Sequence, residues 1–221
     1  MSGAKAWNPT PEYLEHVCIS TITMPPTETE DPMVDRHLNL NDEQFLQEFR
    51  ALKRYSRQCE SVTEFGTYQC CSTWALLAGR PKRLTTYDIG ITSHPAEGHV
   101  GAVESEVNRL AAAAPEYGTE FKFVLGNTLE VVIEPTDMLF IDSCHRYVQL
   151  TKELELHADK VKKFLAFHDT TVFGNTDEYR EPSPESRGLW PAIVELMASK
   201  PWDLKERLHT RNGLTVLERK A

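Results

Sequence analysis

Two apolar runs in this chain each stop abruptly at a charged pair of the same kind. Phe140 and Ile141 lead into Asp142, Ser143, Cys144 and His145, and after a helix-length interval Phe167 leads into His168, Asp169 and Thr170. A buried strand that ends in Asp and His is what an open parallel sheet shows at the carboxyl ends of its strands, where such folds bind ligands. Two neighbouring strand ends would set two carboxylates and two imidazoles around one crevice. A single Asp or His after a strand is ordinarily a helix cap or a turn residue. The doubled arrangement exceeds what capping needs, and it suits a metal ion or proton transfer.

The rest of the chain supplies a sheet to carry those ends. SVTEF (61–65) precedes a helix-like STWALLAG (72–79), RLTTYD (83–88) precedes a helix centred on 103–114, and FKFVL (121–125) precedes a short turn or helix. MLFID (138–142) is followed by a helix over 150–160, and KFLAFHD (163–169) by a loop and a helix over 189–199. Strands alternating with helices imply parallel pairing through right-handed crossovers. At the end, WDLKERL (202–208) and GLTVLER (213–219) flank HTRN, a hairpin-length connection, so the last two strands are expected to be antiparallel. The fold class is α/β, a doubly wound, seven-stranded, mostly parallel sheet closed by an antiparallel C-terminal hairpin.

Residues 1–40 carry Pro9, Pro11, Pro25, Pro26 and Pro32 without sustained periodicity and read as an extended N-terminal arm, leaving 41–221 as the α/β domain. Asp42 can cap a helix with Phe45, Phe49, Leu52 and Tyr55 on one face, expected at the sheet edge or over the site. An arm without a core of its own often docks on a neighbouring subunit, which leaves a homo-oligomer open. Trp74 and Trp190 sit among apolar residues at helical spacing and are expected in the core. The polar segment 173–188 is a loop placed to close over a substrate, or simply a connection.

Composition removes other classes. A net charge of −9 disfavours a nucleic-acid backbone as partner. There is no apolar run of membrane-spanning length and no secretory h-region at the start, so a cytoplasmic protein without a membrane partner is expected. Five cysteines (Cys18, Cys59, Cys70, Cys71 and Cys144) without C-x-x-C spacing suggest neither a disulfide framework nor a structural zinc site. His94, Glu97 and His99 in one loop form a weaker potential metal cluster, more simply read as a solvated loop.

The pair FIDSCHRY and FHDT, with the later NGLTVLER, resembles class I S-adenosylmethionine-dependent methyltransferases, more narrowly the macrocin O-methyltransferase and cephalosporin hydroxylase-like group; the likeness spans about residues 58–219. The family's loop after the first strand reads approximately E-x-G-x-x-x-G-x-S-T. Here Glu64, Gly66, Thr67, Ser72 and Thr73 stand in that loop, with Cys70 at the second glycine and Tyr68 where a small residue is common. The resemblance implies cofactor contacts from those five residues, from Asp88 to the ribose hydroxyls, from Asn127 near the adenine, and from Asp142. It also implies a divalent cation held by Asp142, His168 and Asp169, with Mg²⁺ expected, although the imidazole tolerates Mn²⁺, Fe²⁺ or Zn²⁺ equally. His145 would be the general base.

The activity so implied is a metal-assisted O-methyl transfer from S-adenosylmethionine to a small hydroxylated molecule such as a sugar or a polyketide-like metabolite. Two other readings stay open: a binding protein that keeps the fold but has lost turnover, suggested by Cys70 and Asn127, and an Fe²⁺-dependent hydroxylase, suggested by the histidine in the ligand set.

Overall fold

The computed structural model describes residues 43–90, 102–178, 186–210 and 212–220. The arm at 1–40, Asp42, the side chain of Phe45, the loop with His94, Glu97 and His99, Cys18 and part of the 173–188 segment lie outside the described residues.

The elements run in the order α1 (Glu43–Ser56), β1 (Ser61–Phe65), α2 (Cys71–Ala78), β2 (Arg83–Asp88), α3 (Ala102–Ala113), β3 (Glu120–Leu125), β4 (Thr136–Ile141), α4 (Tyr147–His157), β5 (Val161–Phe167), α5 (Leu189–Ser199), β6 (Trp202–Leu208) and β7 (Leu214–Arg219). They build one seven-stranded sheet with spatial order β3-β2-β1-β4-β5-β7-β6. The first five strands pair in parallel, whereas β7 runs antiparallel to both β5 and β6. The expected topology is the observed one. Because the chain winds outward from β1 in one direction and from β4 in the other, the strand order reverses between those two strands, and a crevice opens there at their carboxyl ends.

The two faces of the sheet follow from side-chain alternation along the buried strands. Met138 and Phe140 of β4 face a core with Leu52, Trp74, Leu76, Leu110 and Phe164. Leu139 and Ile141 face the opposite core with Leu150, Leu154, Ile193, Trp202 and Leu217. The all-buried pattern of β4 is what a strand covered on both faces requires.

Helix α1, expected at the sheet edge or over the site, reaches the ends of the central strands, where its Glu48 stands 2.8 Å from His168 Nε2. It lies on the sheet face beside α2, with Phe49, Leu52 and Tyr55 in the first core and the Tyr55 ring edge-on to Phe164 at 5.1 Å. Trp190 differs from expectation. It is only partly buried, and the Arg207 guanidinium lies 3.8 Å from the ring centroid, a cation–π contact that suits an amphipathic ring at the core margin. Helix α4 begins at Tyr147, three residues before its apolar periodicity, because its Tyr147 amide donates to Asp177 Oδ1 at 2.9 Å from a distant loop.

Trp74 is almost fully buried among close-packed neighbours, whereas Leu204 on edge strand β6 is 47% exposed. Replacing Trp74 by Ala is expected to cost about 3–5 kcal/mol in urea unfolding, and Leu204→Ala less than about 0.5 kcal/mol.

Candidate metal and cofactor site

The strand ends at the crevice are held by direct backbone contact. Asp142 donates its amide to Phe65 O at 2.8 Å, Gly66 donates to Tyr87 O at 2.9 Å, and His168 donates to Ile141 O at 3.1 Å. Gly66 has φ of +86°, and a Cβ there would lie 2.0 Å from the Asp142 carbonyl oxygen. Only glycine allows the loop after β1 to touch the loop after β4 this closely.

Around that contact the structure gathers the loop residues into hydrogen-bonded groups. Glu64, fully buried, accepts from Ser72 Oγ and Thr73 Oγ1, each at 2.7 Å. Burial raises its carboxyl to about 7 despite those hydroxyls. Glu64 thus ties the end of β1 to the first turn of α2. Thr67 donates its amide to Asp88 Oδ2 at 2.8 Å, and its hydroxyl lies 2.5 Å from that of Thr86. Asp88 also accepts the amides of Tyr68 at 3.1 Å and Gly90 at 3.0 Å. Its carboxylate, expected at the ribose, organises the loop in this arrangement. Asn127 is spent on a local turn: its oxygen accepts from the Leu129 amide and its nitrogen donates to Glu130, both at 3.0 Å. The neighbouring Thr128 is drawn into a buried group in which Glu153 accepts from Thr128, from Ser143 and from Gln149.

Asp142, His168 and Asp169 come together as the paired strand ends suggested, with potential ligand atoms all within 4.8 Å of one another. His168 Nδ1 lies 3.3 Å from Asp142 Oδ1 and 3.4 Å from Asp169 Oδ1. Both His168 Nδ1 and Asp169 Oδ1 are buried without a hydrogen-bond partner. Buried polar atoms are rarely left so. One imidazole nitrogen and carboxylate oxygens from two aspartates converge, a donor set that fits a divalent cation. Asp169 adopts the left-handed backbone at φ of 56°, a conformation uncommon for residues other than glycine.

His145 joins the same cluster. Its Nε2 is 3.1 Å from Asp142 Oδ1 and 3.0 Å from Asp169 Oδ2, and its Nδ1 is 2.9 Å from Glu178 Oε2. The ring stacks on Phe173 at 5.0 Å. Burial disfavours the charged imidazole, but hydrogen bonds to Asp142 and Glu178 and the charge of Asp169 overcome it and raise His145 to about 10. In this arrangement the residue expected as a base is an imidazolium with both nitrogens engaged. Burial likewise opposes charge on Asp142, yet His168 and His145 hold it below the ordinary carboxylate range. In Asp169 burial prevails and the carboxyl is raised.

Two acids in this cluster escaped the sequence analysis. Glu48 of α1 stands 2.8 Å from His168 Nε2, and Glu178 holds His145. Glu48 had a visible signal, since it falls on the apolar stripe of α1, four residues before Leu52 and seven before Tyr55. Glu178 sits in a polar loop with no periodicity to mark it.

No protein-family model matches the chain, and no curated protein matches it significantly. Solved structures do match. The O-methyltransferase TomG from Streptomyces achromogenes, involved in tomaymycin synthesis and in complex with S-adenosylmethionine, aligns with a TM-score of 0.57 at 17% identity over 87% of this chain and 92% of that one. An O-methyltransferase from Bacillus cereus in complex with S-adenosylhomocysteine gives 0.60 at 15% identity, over 87% and 92%. The magnesium protoporphyrin IX methyltransferase from Synechocystis PCC 6803, with bound S-adenosylmethionine, gives 0.55 at 11%, over 88% and 87%. At these identities the likeness establishes the fold: a Rossmann-like methyltransferase sheet with its C-terminal hairpin. No helix among the described residues is long and apolar enough to cross a membrane.

The buried Glu64 predicts a pH signature. Its proton leaves the unfolded chain near 4.5 and the folded protein near 7, so the folded state binds more protons in between and loses stability as pH rises through that window. Glu64→Gln keeps the shape without the titration. The stability of the native protein relative to Glu64→Gln, measured by urea unfolding, should fall by on the order of 1–3 kcal/mol between pH 5 and 7.5.

Proposed function

We propose that this chain is an S-adenosylmethionine-dependent O-methyltransferase, assisted by a divalent cation, that acts on a small hydroxylated acceptor. The observation that carries the reading is the unsatisfied, buried pair His168 Nδ1 and Asp169 Oδ1 converging with Asp142, directly beside the glycine turn that joins β1 to β4. The fold shared with cofactor-bound methyltransferases supports it.

In this reading the loop from Glu64 to Thr73 holds the methionine end of the cofactor. Gly66 allows close backbone approach, while Glu64 keeps Ser72 and Thr73 in register at the start of α2. Asp88 serves the ribose by exchanging part of its hold on the loop amides, and Asn127 with its turn borders the adenine. Asp142, His168 and Asp169 would hold the cation, whose charge lowers the pKa of an acceptor hydroxyl next to a methyl sulfonium when both are bound. Bound there, the cation would offset the charges of Asp142 and Asp169 that help hold the His145 proton, while Glu178 would remain its partner. His145 could then take the acceptor's proton through Nε2 while Glu178 steadies Nδ1. Alignment does the remainder, because an in-line displacement needs the two reactants held in contact.

The histidine in the donor set also favours a second reading, oxygen-dependent hydroxylation at Fe²⁺. Metal analysis of protein purified without added metal separates the two, since stoichiometric iron would favour the hydroxylase.

Isothermal titration with S-adenosylhomocysteine, with and without Mg²⁺ or Mn²⁺, tests the leading reading. Saturable binding below about 1 mM, corresponding to at least about 4 kcal/mol, is expected. No binding at that concentration overturns it and leaves a methyltransferase-like fold used for another purpose.

A further inference from the structure

Helix α1 contributes to the site through one side chain. Glu48 is fully buried, and each of its carboxylate oxygens has a different duty. Oε1 accepts the Gly213 amide at 2.9 Å and the Thr210 hydroxyl, both from the turn between β6 and β7. Oε2 lies 2.8 Å from His168 Nε2. A backbone amide can only donate, so Oε1 is an acceptor, and where the carboxylate is ionised Oε2 accepts as well, from a proton on His168 Nε2. In the neutral ring the lone pair is then on Nδ1, the nitrogen that faces Asp142 and Asp169 at 3.3 and 3.4 Å.

We propose that Glu48 is a positioning residue that fixes the orientation and tautomer of His168, so that Nδ1 presents its lone pair to a divalent cation shared with Asp142 and Asp169. The inference rests on the cation reading above and extends it to a helix that lies before the first strand. A carboxylate on the far nitrogen of a metal-bound imidazole is the usual means by which proteins set ring orientation and ligand basicity. Here that carboxylate also grips the β6–β7 turn, so cation binding and the seating of α1 on the sheet are coupled through one side chain. Phe140 completes the support, its ring edge-on to His168 at 6.2 Å.

Glu48→Gln separates positioning from packing. The glutamine side chain has nearly the same shape but one acceptor oxygen. With that oxygen committed to Gly213 and Thr210, its amide nitrogen faces His168 Nε2 and drives the ring proton to Nδ1, where it blocks the cation. The native chain and Glu48→Gln would be titrated with Mn²⁺ by calorimetry, and the histidine ring nitrogens of both followed by ¹⁵N NMR with Zn²⁺ as the diamagnetic probe. The expected results are a 10- to 100-fold weaker Mn²⁺ affinity in the variant, an Nε2–H tautomer for His168 in the native protein, and Nδ1–H in the variant. If Glu48 matters only for packing, the variant melts at lower temperature with its Mn²⁺ affinity unchanged, and that result overturns the proposal while leaving the cation reading intact. Should the variant fail to fold, the native spectrum decides: Nε2–H supports the proposal and Nδ1–H removes it. No Mn²⁺ binding by the native protein ends the cation reading, and the role of Glu48 with it.

Discussion

The rest of the site is arranged around a concentration of charge that a protein interior does not tolerate freely. At the ends of β4 and β5, Asp142 and Asp169 stand with Glu48 and Glu178 around only two imidazoles, His145 and His168. Even with both rings protonated, negative charge is in excess. Burial of such a cluster is costly unless each charge is paired and hydrogen-bonded. The two imidazoles stand between the four carboxylates, His145 against Asp142, Asp169 and Glu178 and His168 against Asp142, Asp169 and Glu48. Burial raises the Asp169 carboxyl even though both imidazoles favour its charge. Further positive charge at this point would relieve the excess, which is the physical basis of the proposed cation.

Most of the fold was legible because its determinants are local. β1, β2, α5 and β6 fall at their expected limits, since buried strands and apolar helical stripes announce themselves by composition and period. Asp142, His168 and Asp169 were legible for the same reason: strand ends in a parallel sheet share one edge. What stayed hidden depended on contacts distant in sequence. The start of α4 needed Asp177, the grip on His145 needed Glu178, and the anchor of His168 came from Glu48, 120 residues earlier in the chain. Glu48 was readable only as an anomaly, a carboxylate on an apolar stripe.

The loop after β1 shows how a motif can keep its shape after losing one of its residues. Its second glycine is replaced by Cys70, yet Cys70 holds the left-handed conformation at φ of 65°, Tyr68 is also left-handed at 39°, and Gly66 retains its positive φ. A side chain in that region costs about 1–2 kcal/mol per residue. Asp88 offsets the cost by accepting the amides of Thr67 and Tyr68, Cys70 closes the turn with its amide on Thr67 O at 2.7 Å, and Glu64 fastens Ser72 and Thr73 behind it. Burial of the Cys70 side chain adds apolar contact that glycine would lack. Strain of this kind persists only where the surroundings over-determine it. The carboxylate that a ribose would call upon is thus also the one that holds the loop in shape, so in the proposed function cofactor entry and loop geometry would depend on the same two oxygens of Asp88.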